Sequence, residues 1–413
     1  MSEIIQNEIN FIKEKFQNYY KSTFVSNVVD VPHREFGTGI YGKKIYQRHL
    51  AFPSLIDLNN FLRKEGPFYI SYSVSYFKYP DRRPMEKKEW FGADLCYEFD
   101  ADDFDLPCKN EHDVWVCKNP ECGSHGYGHL NVCPNCGGQI EIFEYVCNEC
   151  LGKAKKETIR LIDVLENEFS LDPKTFIISF SGSKGYHVRI TDEKIKFLTK
   201  STRLQLMSYL LGNDINLEKL GFYLDKKQWY CPPFSSKGWA KKILNYIMSM
   251  LSIDDPYILA NRYNITLQKA KMLIKNKEVI LKQMDNNILY SNFTNSDVFW
   301  ENILKHAIDN IKFKIDPSSS GDIYKIMRVP DTIHGGTGFL AKTINGVDEL
   351  RRFNPFSDPV VFYSNNLKKI KIIKPVPKFE LCGVGYGPFE VNQELELPEH
   401  ICIFLMLKGV CVW

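Results

Sequence analysis

Apolar and polar positions alternate along Asp94–Asp103, which reads D-L-C-Y-E-F-D-A-D-D. Successive strand side chains point to opposite faces. Leu95, Tyr97 and Phe99 therefore take one face and suit a core, while Cys96, Glu98, Asp100 and Asp102 take the other. The stretch predicts a β-strand ending in a carboxylate pair. The same period returns in Thr175–Ile190 (T-F-I-I-S-F-S-G-S-K-G-Y-H-V-R-I), read as two strands around a tight Ser/Gly/Lys turn. Phe176, Ile178 and Phe180 share a face on the first strand; Tyr186, Val188 and Ile190 share one on the return, with His187 and Arg189 opposite. Tyr69–Tyr79 is strand-like, and strand signals recur at Ile311–Ile315, Tyr324–Val329 and Gly338–Ile344. The last two flank the turn P-D-T-I-H-G-G-T at Pro330–Thr337.

Helical spacing governs other segments. Ile5, Ile9, Ile12, Phe16 and Tyr19 predict an amphipathic helix, Leu55–Leu62 a short one, and Ile159, Ile162, Leu165 and Phe169 the stripe of a helix over Lys153–Phe169. From Asp192 to about Asn310 the chain turns to long Lys/Leu/Ile/Asn-rich helical segments, clearest at Lys241–Leu251 and Thr266–Asp285. An apolar helix is expected at Glu399–Gly409. The expected class is α/β (α+β). Residues 1–191 plus 311–413 would form one domain, a mixed β-sheet flanked by helices with an insertion at 108–150, and 192–310 a helical subdomain.

Composition changes this picture little. The 413 residues are 44% hydrophobic, 25% charged and 14% aromatic, as in an ordinary soluble protein. A net charge of only +3 means that any nucleic-acid surface must come from local clustering. Met1–Tyr20 lacks the apolar centre of a signal peptide, and the longest apolar run, Ile401–Leu407, is too short to span a bilayer. A cytoplasmic location without a membrane partner is the expectation.

Cysteine use adds more, because seven of the twelve cysteines fall between Cys108 and Cys150. Without a secretion signal, such density reads as metal binding rather than disulfides. Cys117/Cys122, Cys133/Cys136 and Cys147/Cys150 have zinc-knuckle spacings, and Cys108/His112 make a fourth pair. Eight ligands fill two sites. Nested pairing puts Cys117, Cys122, Cys133 and Cys136 in an inner ribbon and Cys108, His112, Cys147 and Cys150 in an outer site, with His125 and His129 as rival ligands. Four protein ligands close a zinc coordination sphere, so one or two structural Zn²⁺ are expected.

Four further pieces carry chemistry: Asp100/Asp102, the turn Ser181–His187, the isolated Asp316 with Asp322 as its rival, and R-V-P-D-T-I-H-G-G-T-G at Arg328–Gly338. Aspartates are hard oxygen ligands suited to Mg²⁺ or Mn²⁺. A Ser/Gly turn through Ser181, Ser183 and Lys184 lets backbone N–H groups approach phosphate oxygens, and His187, Arg328 and His334 add donors or charge. Singly, each has a plainer reading as a solvated turn, a loop tip or a core-edge histidine; together they point to phosphoryl chemistry. The basic segments V-P-H-R-E-F-G (Val31–Gly37) and Q-R-H-L-A-F (Gln47–Phe52) and the loop Arg82–Lys88 offer phosphate or partner contacts, against the plainer reading of a solvated surface.

Taken in order, R-E-F at Arg34, R-H at Arg48/His49, W-F-G-A-D-L-C-Y-E-F-D-A-D and R-V-P-D-T-I-H-G-G-T-G make a chain that resembles the catalytic (small) subunit of archaeal and eukaryotic DNA primase over most of its length. The resemblance implies that Asp100 and Asp102 are a metal-binding pair with Asp316 as third carboxylate. It implies that Ser181, Lys184 and His187 hold nucleotide phosphates, with Arg328 and His334 near the triphosphate. The outer zinc site matches the family's zinc motif ahead of a long helix, and the inner ribbon is an extra insertion. Implied with it are synthesis of short RNA, or DNA, primers from NTPs on single-stranded DNA by two-metal nucleotidyl transfer, and a large subunit completing a heterodimer. The readings set against it are a primase-polymerase that extends existing ends and a non-catalytic zinc scaffold for nucleic acid.

Overall fold

The computed structural model describes residues 3–316 and 318–413. They divide into two units, one within Met1–Leu204 and Ile315–Trp413, the other Gln205–Lys314.

Two four-stranded sheets organise the first unit. One runs Ile326–Arg328, Tyr69–Ser73, Phe36–Ile40, Lys43–Leu50; the other runs Thr343–Ile344, Phe176–Phe180, Gly185–Ile190, Leu95–Asp100. Every pairing among the described strands is antiparallel, so the mixed sheet expected from sequence resolves into antiparallel sheets within the α/β (α+β) class. In the second sheet Gly185 lies opposite Asp100, His187 opposite Glu98 and Arg189 opposite Cys96. One face of this sheet, with Leu95, Tyr97, Phe99, Tyr186, Val188 and Ile190, is fully buried. It packs under the helix Asn148–Asn167, whose Leu151, Ala154, Leu161 and Leu165 are buried in turn. The polar face is left to the site.

Several boundaries differ from the pattern reading. The strand stops at Asp100, and Ala101–Asp103 form a 3-10 turn in which the Asp103 carboxylate accepts the Asp100 N–H at 3.0 Å. Asp102 is therefore placed by a turn and not by strand alternation. Ile311–Ile315 is no strand, because the stripe Phe299, Ile303, Leu304 and Ala307 carries the helix Ser296–Ile311 to its end there. The two strands around Pro330–Thr337 shorten to Ile326–Arg328 and Thr343–Ile344. Leu55–Glu65 is helical, started by Ser54 accepting the Asp57 N–H and ended by Gly66 at φ 51°.

The R-E-F and R-H segments turn inward. Arg34 is buried, donates to Asp94 at 2.7 Å and shares that carboxylate with Arg189 at 2.9 Å and the Tyr76 hydroxyl at 2.7 Å. Glu35, equally buried, accepts from Arg48 at 2.9 Å and faces His49 and Lys88 at 3.4 and 3.5 Å. Two antiparallel sheets are thus fastened by charges whose partners are all internal. The helix Glu399–Leu407 is buried on every side beside a three-stranded sheet of Glu394–Pro398, Leu367–Ile372 and Cys411–Val412.

The second unit has its own core, built from Trp229, Trp239, Ile243, Leu244, Ile247 and Trp300 among others. Its helices include Gly238–Leu251, Pro256–Tyr263 and Ser296–Ile311. No helix among the described residues is long and apolar enough to cross a membrane.

Candidate active site

The hairpin Phe176–Phe180/Gly185–Ile190 exists in this form because residue 185 is glycine: a Cβ there would strike the Phe99 carbonyl and the Asp100 carboxylate of the neighbouring strand. Gly182, at φ 81°, makes the turn itself. The Ser181 hydroxyl accepts the backbone N–H groups of Ser183, Lys184 and Gly185 at 3.3, 3.2 and 3.0 Å. Those amides, expected to face a phosphate, are committed inside the loop. What the loop offers a ligand is the Ser181 O–H, the Ser183 hydroxyl and Lys184. Thr337 donates to the Gly182 carbonyl at 2.5 Å and so ties this loop to the Pro330–Thr337 turn.

A cavity of about 470 Å³ lies between the two sheets, and Asp100, Ser181, Ser183, Lys184, His187, Arg328 and His334 line it. Its cationic side is unusual. Arg328 lies over the Tyr69 ring at 5.1 Å, and its Nη1 is buried without a hydrogen-bond partner. Burial pulls the guanidinium down to about 10. Burial, with Arg328 beside it, holds His334 well below the ordinary range, and burial does the same to His187, which falls to about 4. Both imidazoles are neutral. His334 Nδ1 accepts the Gly336 N–H at 3.2 Å, which leaves its proton on Nε2 as a donor.

The carboxylate side mirrors this. Burial, with Glu98 and Asp103 close by, pushes Asp100 up to about 6 against the opposing pull of Lys184. Asp102 and Asp316 are not on the cavity wall, and each is paired with a lysine. Lys184 bonds to both Asp102 and Glu144. Lys325 bonds to Glu98 at 2.8 Å and reaches Asp316 at 3.5 Å. Asp316 is near enough to act electrostatically on Glu98 and Asp103. The rival Asp322 accepts the Tyr324 N–H at 2.9 Å, within its own turn. The acid groups fit hard divalent cations in chemistry and in the raised proton affinity of Asp100. Among the described residues, though, the sets gathered tightly enough for a metal are the two cysteine groups.

Those groups are Cys108, His112, Cys147 and Cys150, and Cys117, Cys122, Cys133 and Cys136, with ligand atoms all within 4.8 Å of one another in each. Sulfur separations of 3.5 Å (Cys117–Cys136) and 3.8 Å (Cys122–Cys133) are close to the about 3.8 Å that a tetrahedral ion with 2.3 Å Zn–S bonds imposes. Either cluster could hold Zn²⁺. Asp113 accepts from His112 Nδ1 at 2.9 Å and turns its Nε2 toward Cys150, an orienting contact typical of metal-bound histidines. The rival His129 is engaged with Asp113 at 2.5 Å, and His125 lies near Glu390 at 3.9 Å.

Four residues of the site escaped the pattern reading. Glu98 was visible as a neighbour of Asp100 on one strand face, but its role was not. Lys325 and Glu144 act through contacts 227 and 40 residues away in sequence, which no local pattern reveals. Lys44 comes to the cavity from the other sheet.

Residues 144–345 match the DNA primase small subunit family, a span holding Ser181–His187, Asp316, Arg328 and His334. Over nearly the whole chain there are relatives named DNA primase small subunit PriS. That of Methanococcoides burtonii is 25% identical over 97% of both chains. That of Methanocaldococcus jannaschii is 27% identical over 91% of both, and that of Nitrosopumilus maritimus 24% over 98% of both. With relatives matching from end to end and the Ser181–His187, Arg328 and His334 stretches inside the matched span, the chain is similar to the DNA primase small subunits.

Proposed function

We propose that this chain is the catalytic subunit of a cytoplasmic primase, joining nucleoside triphosphates into short RNA, or DNA, primers on a single-stranded DNA template during replication. A large subunit, as the relatives' name implies, would be its partner. The observation that carries the reading is the buried Arg328 Nη1 with no partner, set across one cavity from Asp100, whose proton affinity is raised. A cavity with an unpartnered guanidinium nitrogen on one wall and a carboxylate of raised proton affinity on the other suits a metal-bound triphosphate.

Asp100, Asp102 and Asp316 would hold two Mg²⁺ or Mn²⁺ ions. Bound there, the ions supply activation of the attacking 3′-hydroxyl and neutralisation of the pyrophosphate charge. The chain's own residues do the holding. Arg328 and the Nε2–H of His334 donate to phosphate oxygens, Ser181 and Ser183 add hydroxyls, and His187 lines the same wall as a neutral group. Lys184, shared between Asp102 and Glu144, is placed to serve a phosphate as well. Zinc in the cysteine clusters would keep a structural role, with four protein ligands in each.

The test is de novo synthesis on single-stranded DNA with Mg²⁺ or Mn²⁺. Asp100→Ala with Asp102→Ala should abolish it. Primers made by the doubly substituted protein would refute the reading.

A further inference from the structure

The active-site cavity shares Glu144, Ser183 and Lys184 with a second, smaller one of about 70 Å³. Lys408, just past the helix Glu399–Leu407, lines the smaller cavity together with Phe404, Phe379 and Tyr145. The ammonium donates to the Glu144 carbonyl at 2.7 Å and lies 4.8 Å from the centre of the Tyr145 ring. Among the described residues no carboxylate lies within ion-pair distance of it. The buried Lys88 faces Glu35; of the half-buried lysines of this unit, Lys184 faces Asp102 and Glu144 and Lys325 faces Glu98, while Lys155, like Lys408, donates to a backbone carbonyl, that of Phe353.

An ammonium has three N–H donors and a charge to satisfy. One carbonyl satisfies a third of the donors and none of the charge, and Lys184 nearby adds repulsion. Burial first, then Lys184, brings Lys408 down to about 8. A second group is unmet in the same cavity. Tyr145 is 4% exposed and its hydroxyl has no hydrogen-bond partner. Two donors, the half-buried Lys408 ammonium and the buried Tyr145 hydroxyl, facing a space that adjoins the Ser181–Gly185 loop call for an anion with several acceptor oxygens.

We propose that Lys408 and Tyr145 form a binding site for the terminal phosphate of a nucleoside triphosphate, beyond Lys184 and outside the set of residues that the motifs name. The inference rests on the function proposed above and extends it to the end of the phosphate chain. It also gives the zinc insertion a stake in nucleotide binding. The Tyr145 N–H donates to Asp113 at 2.9 Å, and Asp113 orients His112 of the outer cluster. Glu144, one residue earlier, accepts from Lys408 through its carbonyl and holds Lys184 through its carboxylate.

The experiment compares equilibrium binding of ATP, ADP and tripolyphosphate, each with Mg²⁺, to the full chain and to Lys408→Met, Lys408→Arg and Tyr145→Phe, with thermal melting to confirm folding. Loss of a charge-assisted hydrogen bond should weaken ATP and tripolyphosphate by about tenfold or more in Lys408→Met. ADP binding should be unchanged, Lys408→Arg should recover most of the loss, and Tyr145→Phe should show a smaller loss of the same kind. In steady state the Lys408→Met effect should fall on KM for the nucleotide and not on kcat. An unchanged ratio of ATP to ADP affinity in folded Lys408→Met overturns the proposal and leaves the primase reading standing. Equal loss of ATP and ADP binding that Lys408→Arg does not recover assigns Lys408 a structural role and overturns it too. A native chain that binds no triphosphate overturns both.

Discussion

Replacing Arg328 by methionine removes a buried cation while keeping an unbranched side chain over Tyr69. At about 1.4 kcal/mol per pKa unit, a guanidinium brought down from its ordinary value to about 10 is disfavoured as a cation by roughly 3 kcal/mol in the folded protein. The sign follows from the direction of the shift. The folded-state value lies below the unfolded one, so the cost is fully present below pH 10, including neutral pH, and lifts only as pH rises through that value. Without ligand, Arg328→Met should therefore be at least as stable as the native chain, offset only by a lost cation–π contact of about 0.5–1 kcal/mol. With a triphosphate the sign reverses. Hydrogen bonds from a charged donor contribute about 1.5–3 kcal/mol, which is roughly ten- to hundredfold in affinity. Denaturant unfolding at neutral pH, with and without Mg²⁺ and ATP, reads both effects at once. ATP should raise the native midpoint by mass action and barely move that of the variant. The reasoning is refuted if the ligand-free variant loses about 2 kcal/mol or more, or if ATP protects it as well as it protects the native chain.

Four other outcomes follow from the same contacts. Asp94→Ala strands Arg34 and Arg189 as buried cations and should cost about 3–5 kcal/mol in denaturant unfolding; a loss below about 1 kcal/mol would contradict the assigned network. His187 sits at about 4 when folded and near 6.5 when unfolded, so the unfolded chain takes up its proton first as pH falls. Stability should drop between pH 6.5 and about 4 more steeply in the native chain than in His187→Gln, and equal slopes would count against it. Glu98→Gln leaves Lys325 with Asp316 alone, so the Mg²⁺ concentration giving half-maximal synthesis should rise several-fold, as a metal titration will show. Metal analysis should find two zinc ions per chain. One should remain after Cys122→Ser with Cys136→Ser, and one after Cys147→Ser with Cys150→Ser.

Much of the site was legible because strands impose a period. The alternation in Leu95–Asp100 and Gly185–Ile190 assigns the buried and polar faces from the order of residues alone, and the register puts His187 against Glu98 as that pattern allows. The cysteine spacings likewise foreshadow two groups that are compact in space. Pattern stops where the backbone leaves the period. Asp102 sits on a 3-10 turn, and Ser181 spends its hydroxyl on the loop's own amides. Contacts across the fold leave no local trace either: Lys325 meets Glu98, and Arg34 meets Asp94, only once the sheets are assembled. In the R-E-F and R-H segments, where basic residues stand beside aromatics, Arg34 and Arg48 spend their guanidinium groups on Asp94 and Glu35, pairings that no local pattern announces.

The two walls of the cavity are carried by different sheets: Arg328 by the strand Ile326–Arg328 beside Tyr69–Ser73, and Asp100 by the strand beside Gly185–Ile190. A ligand that is anionic at one end and metal-bearing at the other would act as a cross-brace between them. Its grip would then gauge the spacing of the sheets, and a substitution that tilts one sheet against the other would slacken the hold on substrate without touching a single side chain of the site.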